Sequence, residues 1–81
     1  MNDTHVSEID KLHAKYISTR LKRIQGKRSQ REWSRQLHIP QPVLSSYLAG
    51  STPIVTFLIH LARSENVNLN WLMAGEGEVY R

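Results

Sequence analysis

The sequence predicts an all-α domain of five short helices, and three observations carry that expectation. Apolar residues recur at three- and four-residue spacing in successive stretches. Cap-forming residues precede each stretch and glycine or polar turn residues follow it. No segment shows the strict alternation of a half-buried strand or an internal repeat. At 81 residues the chain has room for one compact domain. A domain of that size buries roughly 60% of its unfolded surface, so its stability should be modest.

The first helix is expected from about Ser7, a cap followed by the first-turn acids Glu8 and Asp10, to Gln25, where Gly26 ends it. Ile9, Leu12, Tyr16, Ile17, Leu21 and Ile24 share one face of it. Ser29 and Glu32 have the spacing of a capping box for a second helix over about Gln30 to Leu37. Trp33, Ser34 and Leu37 would face inward; Gln30, Arg31, Arg35 and Gln36 would face outward. Pro40 and Pro42 disfavour helical backbone at Ile39 and Gln41, which places the third helix start at Pro42 with Gln41 as its cap. Leu44, Tyr47 and Leu48 form its buried side, Val43, Ser45 and Ser46 its outer side, and Gly50 its end. Ser51 and Thr52 then precede a fourth helix over about Pro53 to Ser64, apolar on most sides. Leu69 to Met73 make a short fifth helix closed by Gly75. Residues 1–6 are expected to be a flexible N-terminus, 7–77 the folded domain and 78–81 a tail without clear period.

Composition narrows the function classes. The absence of cysteine excludes a disulfide framework and any thiolate metal site. The polar start Met1 to Val6 lacks a signal-peptide core, and no apolar run approaches the ~20 residues of a membrane span; a soluble cytoplasmic protein is the expectation. The net charge is +4, and its distribution is uneven. Lys11, Lys15, Arg20, Lys22, Arg23, Lys27, Arg28, Arg31 and Arg35 stand against Glu32 alone, whereas only Arg63 and Arg81 follow. Such a cluster suits a phosphate backbone. A solvated helix face, or a basic amphipathic helix on an anionic membrane, is the competing reading of charge alone.

His5, His13, His38 and His60 fit no compact ligand pair, so surface or turn histidines are expected and no metal. Neither a G-x-S-x-G elbow nor a glycine-rich phosphate loop is present, and a small bundle offers little concave space. No catalysis, cofactor or small-molecule substrate is expected.

The decisive constellation is the second helix, its turn and the third helix, residues 30–49. Counted from Gln30, Ser34 is fifth, His38 ninth, Leu44 fifteenth and Tyr47 eighteenth, which are the packing positions of a helix-turn-helix. Ser29-Gln30-Arg31-Glu32, Gln41-Pro42-Val43-Leu44-Ser45, Gly50 and Asn70-Trp71-Leu72-Met73-Ala74-Gly75-Glu76-Gly77 together resemble the lambda-repressor-like family of phage and bacterial regulators. The resemblance covers about Arg20 to Gly77. It implies a DNA-binding transcriptional regulator of phage or prophage repressor type, in a bacterial or infected host cell, bound as a homodimer to a pseudo-palindromic duplex operator. It implies base readout by Gln41, Pro42, Val43, Ser45 and Ser46. A glutamine suits adenine, and Val43 suits a thymine methyl. Phosphate contacts are expected from Gln30, Arg28, Arg31, Arg35, Ser51 and Thr52. The chain departs from the family at Ser34, usually alanine, at His38, usually a glycine in left-handed backbone, and in the two prolines of the turn.

A domain this small should struggle to bury all of its last two helices, so Val55, Phe57, Ile59, Trp71 and Met73 are candidates for a homodimer contact, against the alternative of one well-filled core. An antitoxin-like interaction module using that same surface is the alternative function. Repressors of this resemblance often continue into a second domain, so the chain is expected either to act without one or to be the DNA-binding part of a longer protein.

Overall fold

A computed structural model describes the backbone of residues 3–81 and side chains from Glu8 onward. Its elements are α1 (Asp3–Gln25), α2 (Gln30–Leu37), α3 (Gln41–Leu48), α4 (Val55–Glu65) and α5 (Leu69–Ala74). No glycine or proline interrupts residues 3–25, and α1 runs unbroken through them to Gly26, which turns away at φ 61°. Ser7 therefore lies inside α1 and does not cap it. Of the expected flexible N-terminus, residues 1–2 lie outside the described residues and 3–6 belong to α1.

The α2 start and stop follow the sequence closely. The Ser29 hydroxyl accepts the Glu32 amide at 3.0 Å, one half of the expected capping box. His38 takes left-handed backbone at φ 59°, and the His38 and Ile39 amides close back onto the carbonyls of Arg35 and Ser34 at 3.2 and 3.1 Å.

The third and fourth helices start elsewhere than expected. Pro40 caps α3 and Gln41 is its first helical residue. The Pro40 carbonyl accepts the amides of Val43 and Leu44 at 3.1 and 3.2 Å, and these bonds outweigh the preference of a residue before proline for extended backbone. In α4 the start shifts the other way. Pro53 is buried, and the chain stays extended through Ile54 (φ −78°, ψ 152°) to seat that ring. The Ile54 carbonyl then receives Phe57 and Leu58 at 3.1 and 3.3 Å, so neither Ser51 nor Thr52 caps the helix.

One core joins all five helices. Leu21, Trp33, Leu37, Leu44, Leu61 and Leu72 are fully buried, with α2 packed on α3, α1 on α3 and α5, and α4 on α5. The buried Ser18 hydroxyl donates to the Leu48 carbonyl at 2.6 Å and ties α1 to the end of α3. The tail is pinned as well: the Asn68 amide bonds Val79 at 2.8 Å and the Arg81 amide bonds Asn66 at 3.0 Å, around an antiparallel bridge of Val67 with Tyr80.

The expected inward stripe of α1 divides in two. Ile17, Leu21 and Ile24 are core, but Ile9, Leu12 and Tyr16 are 42%, 50% and 50% exposed. They lie on different sides of the helix: Ala14, buried at 2% between Leu12 and Tyr16 in sequence, continues the core face of Ile17, Leu21 and Ile24, and the other three form a separate stripe. Among the described residues no helix is long and apolar enough to cross a membrane.

Candidate nucleic-acid interface

The α2–α3 pair is held from beneath by Trp33, Leu37 and Leu44, each at most 1% exposed. At the close crossing Ser34 is buried in place of the usual alanine, and its hydroxyl donates to the Arg31 carbonyl at 2.9 Å. The added polar atom is thus satisfied within α2 itself. His38 supplies the left-handed turn, and the His60 Nε2 of α4 bonds the Leu37 carbonyl at 2.6 Å, closing the exposed end of α2. Since a carbonyl only accepts, His60 donates here.

The outer side of α3 presents the expected residues. Gln41, Pro42, Val43 and Ser46 are exposed and Ser45 is half-buried. Because Pro40 and Pro42 have no amide hydrogen and the Val43 amide bonds Pro40, among the described residues the Gln41 amide is the open donor at this helix start. Tyr47, expected on the buried side, is half-buried and packs on Phe57 with ring centroids 4.4 Å apart.

Two contacts order this surface that the sequence did not signal. The Ser45 hydroxyl donates to Oε1 of Gln30, linking the middle of α3 to the first residue of α2. With its oxygen so occupied, Gln30 is left with two amide hydrogens, which suits a phosphate oxygen. Ser46 donates to Ser51 at 2.8 Å, joining α3 to the exposed turn that carries Ser51 and Thr52. Arg31 and Arg35 are exposed along α2.

Among the expected phosphate contacts, Arg28 differs in having its donors bonded within the protein. Its Nε bonds the Gln25 carbonyl at 3.0 Å; Nη1 bonds Gln36 Oε1 at 2.9 Å and Glu65 Oε2 at 3.1 Å; Nη2 bonds the Ile24 carbonyl at 2.7 Å and Glu65 Oε1 at 2.8 Å. A guanidinium has five N–H donors, and all are engaged. Its plane also lies 5.2 Å from the Trp33 ring centroid, and Trp33 Nε1 donates to Glu65 at 3.1 Å. Hydrogen bonding to Glu65 raises the Arg28 pKa above its ordinary value against the opposing effect of burial. Burial pushes Glu65 upward, but the hydrogen bonds from Arg28 and Trp33 outweigh it and hold the carboxyl below its ordinary value. This group clamps the α1–α2 junction to the end of α4. It ties the α2–α3 pair to α4 and leaves no N–H of Arg28 without a partner.

The basic segment is divided further. Arg20 Nη1 bonds the Leu72 carbonyl at 3.1 Å, and the Arg23 guanidinium lies 5.7 Å from the Trp71 ring centroid. Lys22, Arg23, Lys27, Arg31 and Arg35 are exposed. Of the five apolar residues expected at a dimer contact, Phe57 and Trp71 are core at 6% and 8% exposure, so the well-filled core claims them. Val55, Ile59 and Met73 are exposed.

The family model for the bacteriophage CI repressor helix-turn-helix domain matches residues 17–80. No curated protein and no solved structure matches the chain.

Proposed function

We propose that this chain, which belongs to the bacteriophage CI repressor helix-turn-helix family, acts as a homodimer on a pseudo-palindromic operator and represses by occupying it. Membership makes the chain a DNA-binding regulator of repressor type; the two-fold arrangement and the division of labour among residues are the proposal. The supporting observation is that α3 turns Gln41, Pro42, Val43 and Ser46 outward beside the Gln30–Ser45 bond, with Arg31 and Arg35 exposed on α2.

In this reading Gln30, Arg31, Arg35, Ser51 and Thr52 fix the protein on phosphates, while Gln41, Pro42, Val43 and Ser46 meet base edges. Ser45, whose hydrogen is given to Gln30, retains lone pairs and can still accept from a base. Two copies related by a two-fold axis would set their recognition helices about 34 Å apart, one turn of DNA.

Selection of bound sequences from a random duplex pool tests the reading. A motif with two-fold symmetry and half-sites one helical turn apart is expected; recovery of no preferred sequence, or of a single asymmetric site, would contradict it.

A further inference from the structure

The exposed stripe on the first half of α1 is unexplained by DNA reading. Ile9, Leu12 and Tyr16 stand at spacings of three and four and are 42%, 50% and 50% exposed. They precede the residues that the family model matches, 17–80, and so lie outside the shared reading module. They are nevertheless rigidly carried. Ala14, Ile17 and Ser18 on the adjoining face are buried, Ser18 is bonded to Leu48, and the Arg20 guanidinium, itself bonded to Leu72, lies 6.0 Å from the Tyr16 ring centroid.

We infer that this stripe is the homodimer contact, with α1 of one copy packed antiparallel against α1 of a second copy. The inference rests on the dimeric reading above and names its surface. Ile9, Leu12 and Tyr16 occupy the a, d and a positions of a heptad, which places Glu8 and Lys15 at successive g positions on one flank. When the helices run antiparallel with Ile9 opposite Leu12 of the other copy, g faces g, and Glu8 meets Lys15 on both sides of the two-fold axis. A parallel pairing sets g against e of the next heptad and brings Lys15 against Arg20, two like charges. Glu8 and Lys15 are exposed, so the pairing asks neither to leave an internal partner. The charge order along the helix therefore selects a second copy of the same helix, in one direction.

Size sets the expected strength. A stable interface buries about 800 Å² per partner, and a two-helix contact over a few turns supplies part of that. Micromolar dimerisation is expected, strengthened when both copies share one operator through the effective concentration that DNA provides.

Sedimentation equilibrium of the full chain across micromolar concentrations tests it, with circular dichroism confirming that each variant remains folded. The parent is expected to dimerise. Leu12→Glu should be monomeric throughout, and Ile59→Glu, on the exposed side of α4, should dimerise like the parent. Glu8→Lys should weaken association by about tenfold or more, and the double variant Glu8→Lys with Lys15→Glu should restore it. A parent that stays monomeric, dissociation by Ile59→Glu but not Leu12→Glu, or failure of the double variant to recover would overturn the inference. DNA is scored separately. Leu12→Glu should still bind random duplex, as single copies with a flatter salt dependence than the parent, whereas a parent that dimerises through α1 but ignores duplex DNA would sustain the interface and sink the regulator reading.

Discussion

The two apolar stripes of α1 have the same helical spacing and opposite fates. Ile17, Leu21 and Ile24 are core, at 8% exposure or less, and Ile9, Leu12 and Tyr16 are 42% exposed or more. What separates them is the side of the helix they occupy: α3 and α5 lie against the face that Ala14 shares with Ile17, Leu21 and Ile24, and nothing among the described residues covers the other. Periodicity identifies which face of a helix is apolar; it does not say whether the same chain supplies the cover.

Substitutions can sharpen that contrast, beginning where the effect should be largest. Leu21→Ala removes a fully buried side chain and should cost about 2–5 kcal/mol, read as a lower denaturant midpoint at unchanged slope. For a domain this small, that approaches its whole stability. Glu65→Gln leaves Arg28 without its countercharge and should cost about 2–3 kcal/mol. It should also change the acid limb. Because the folded-state pKa of Glu65 is lowered, its contribution is complete above the ordinary carboxylate range and is lost as pH falls through the folded value. Thermal melts of the parent should therefore lose stability on acidification more steeply than those of Glu65→Gln. Ser18→Ala orphans one acceptor bond of the Leu48 carbonyl and should cost about 1–2 kcal/mol. Smallest of all, Leu12→Ala should stay within about 0.5 kcal/mol of the parent monomer; a loss matching Leu21→Ala would mean that the exposed stripe of α1 is folded against something after all.

The same contrast shows what was legible beforehand. Every helix could be placed because caps and stops act locally: Ser29 begins α2, His38 ends it in left-handed backbone, and Gly75 ends α5. Trp33, Leu37 and Leu44 were recognisable as the crossing because helical spacing puts them on facing sides. Errors arose where a specific contact overrode a general preference. Pro40 captured two amides and drew Gln41 into α3, and burial of Pro53 delayed α4. Arg28 meets Glu65 across a separation of 37 residues. Nothing in a basic run distinguishes an arginine that will be saturated internally from Arg31 or Arg35, which remain exposed. The Gln30–Ser45 bond was equally hidden, because it depends on the angle at which α3 crosses α2.

The division of the α2–α3 surface into positioning and reading residues is tested most directly by the salt dependence of duplex binding, measured on a selected site and on random sequence. Arg31→Ala should weaken both duplexes alike and flatten the dependence of log K on log salt by about 1.8, one phosphate contact being lost from each of the two copies. Ser46→Ala should keep the parent slope while narrowing the gap between the two duplexes. Equal losses on both duplexes from both substitutions, with neither slope changed, would contradict the assignment of phosphate contacts to α2 and base contacts to α3.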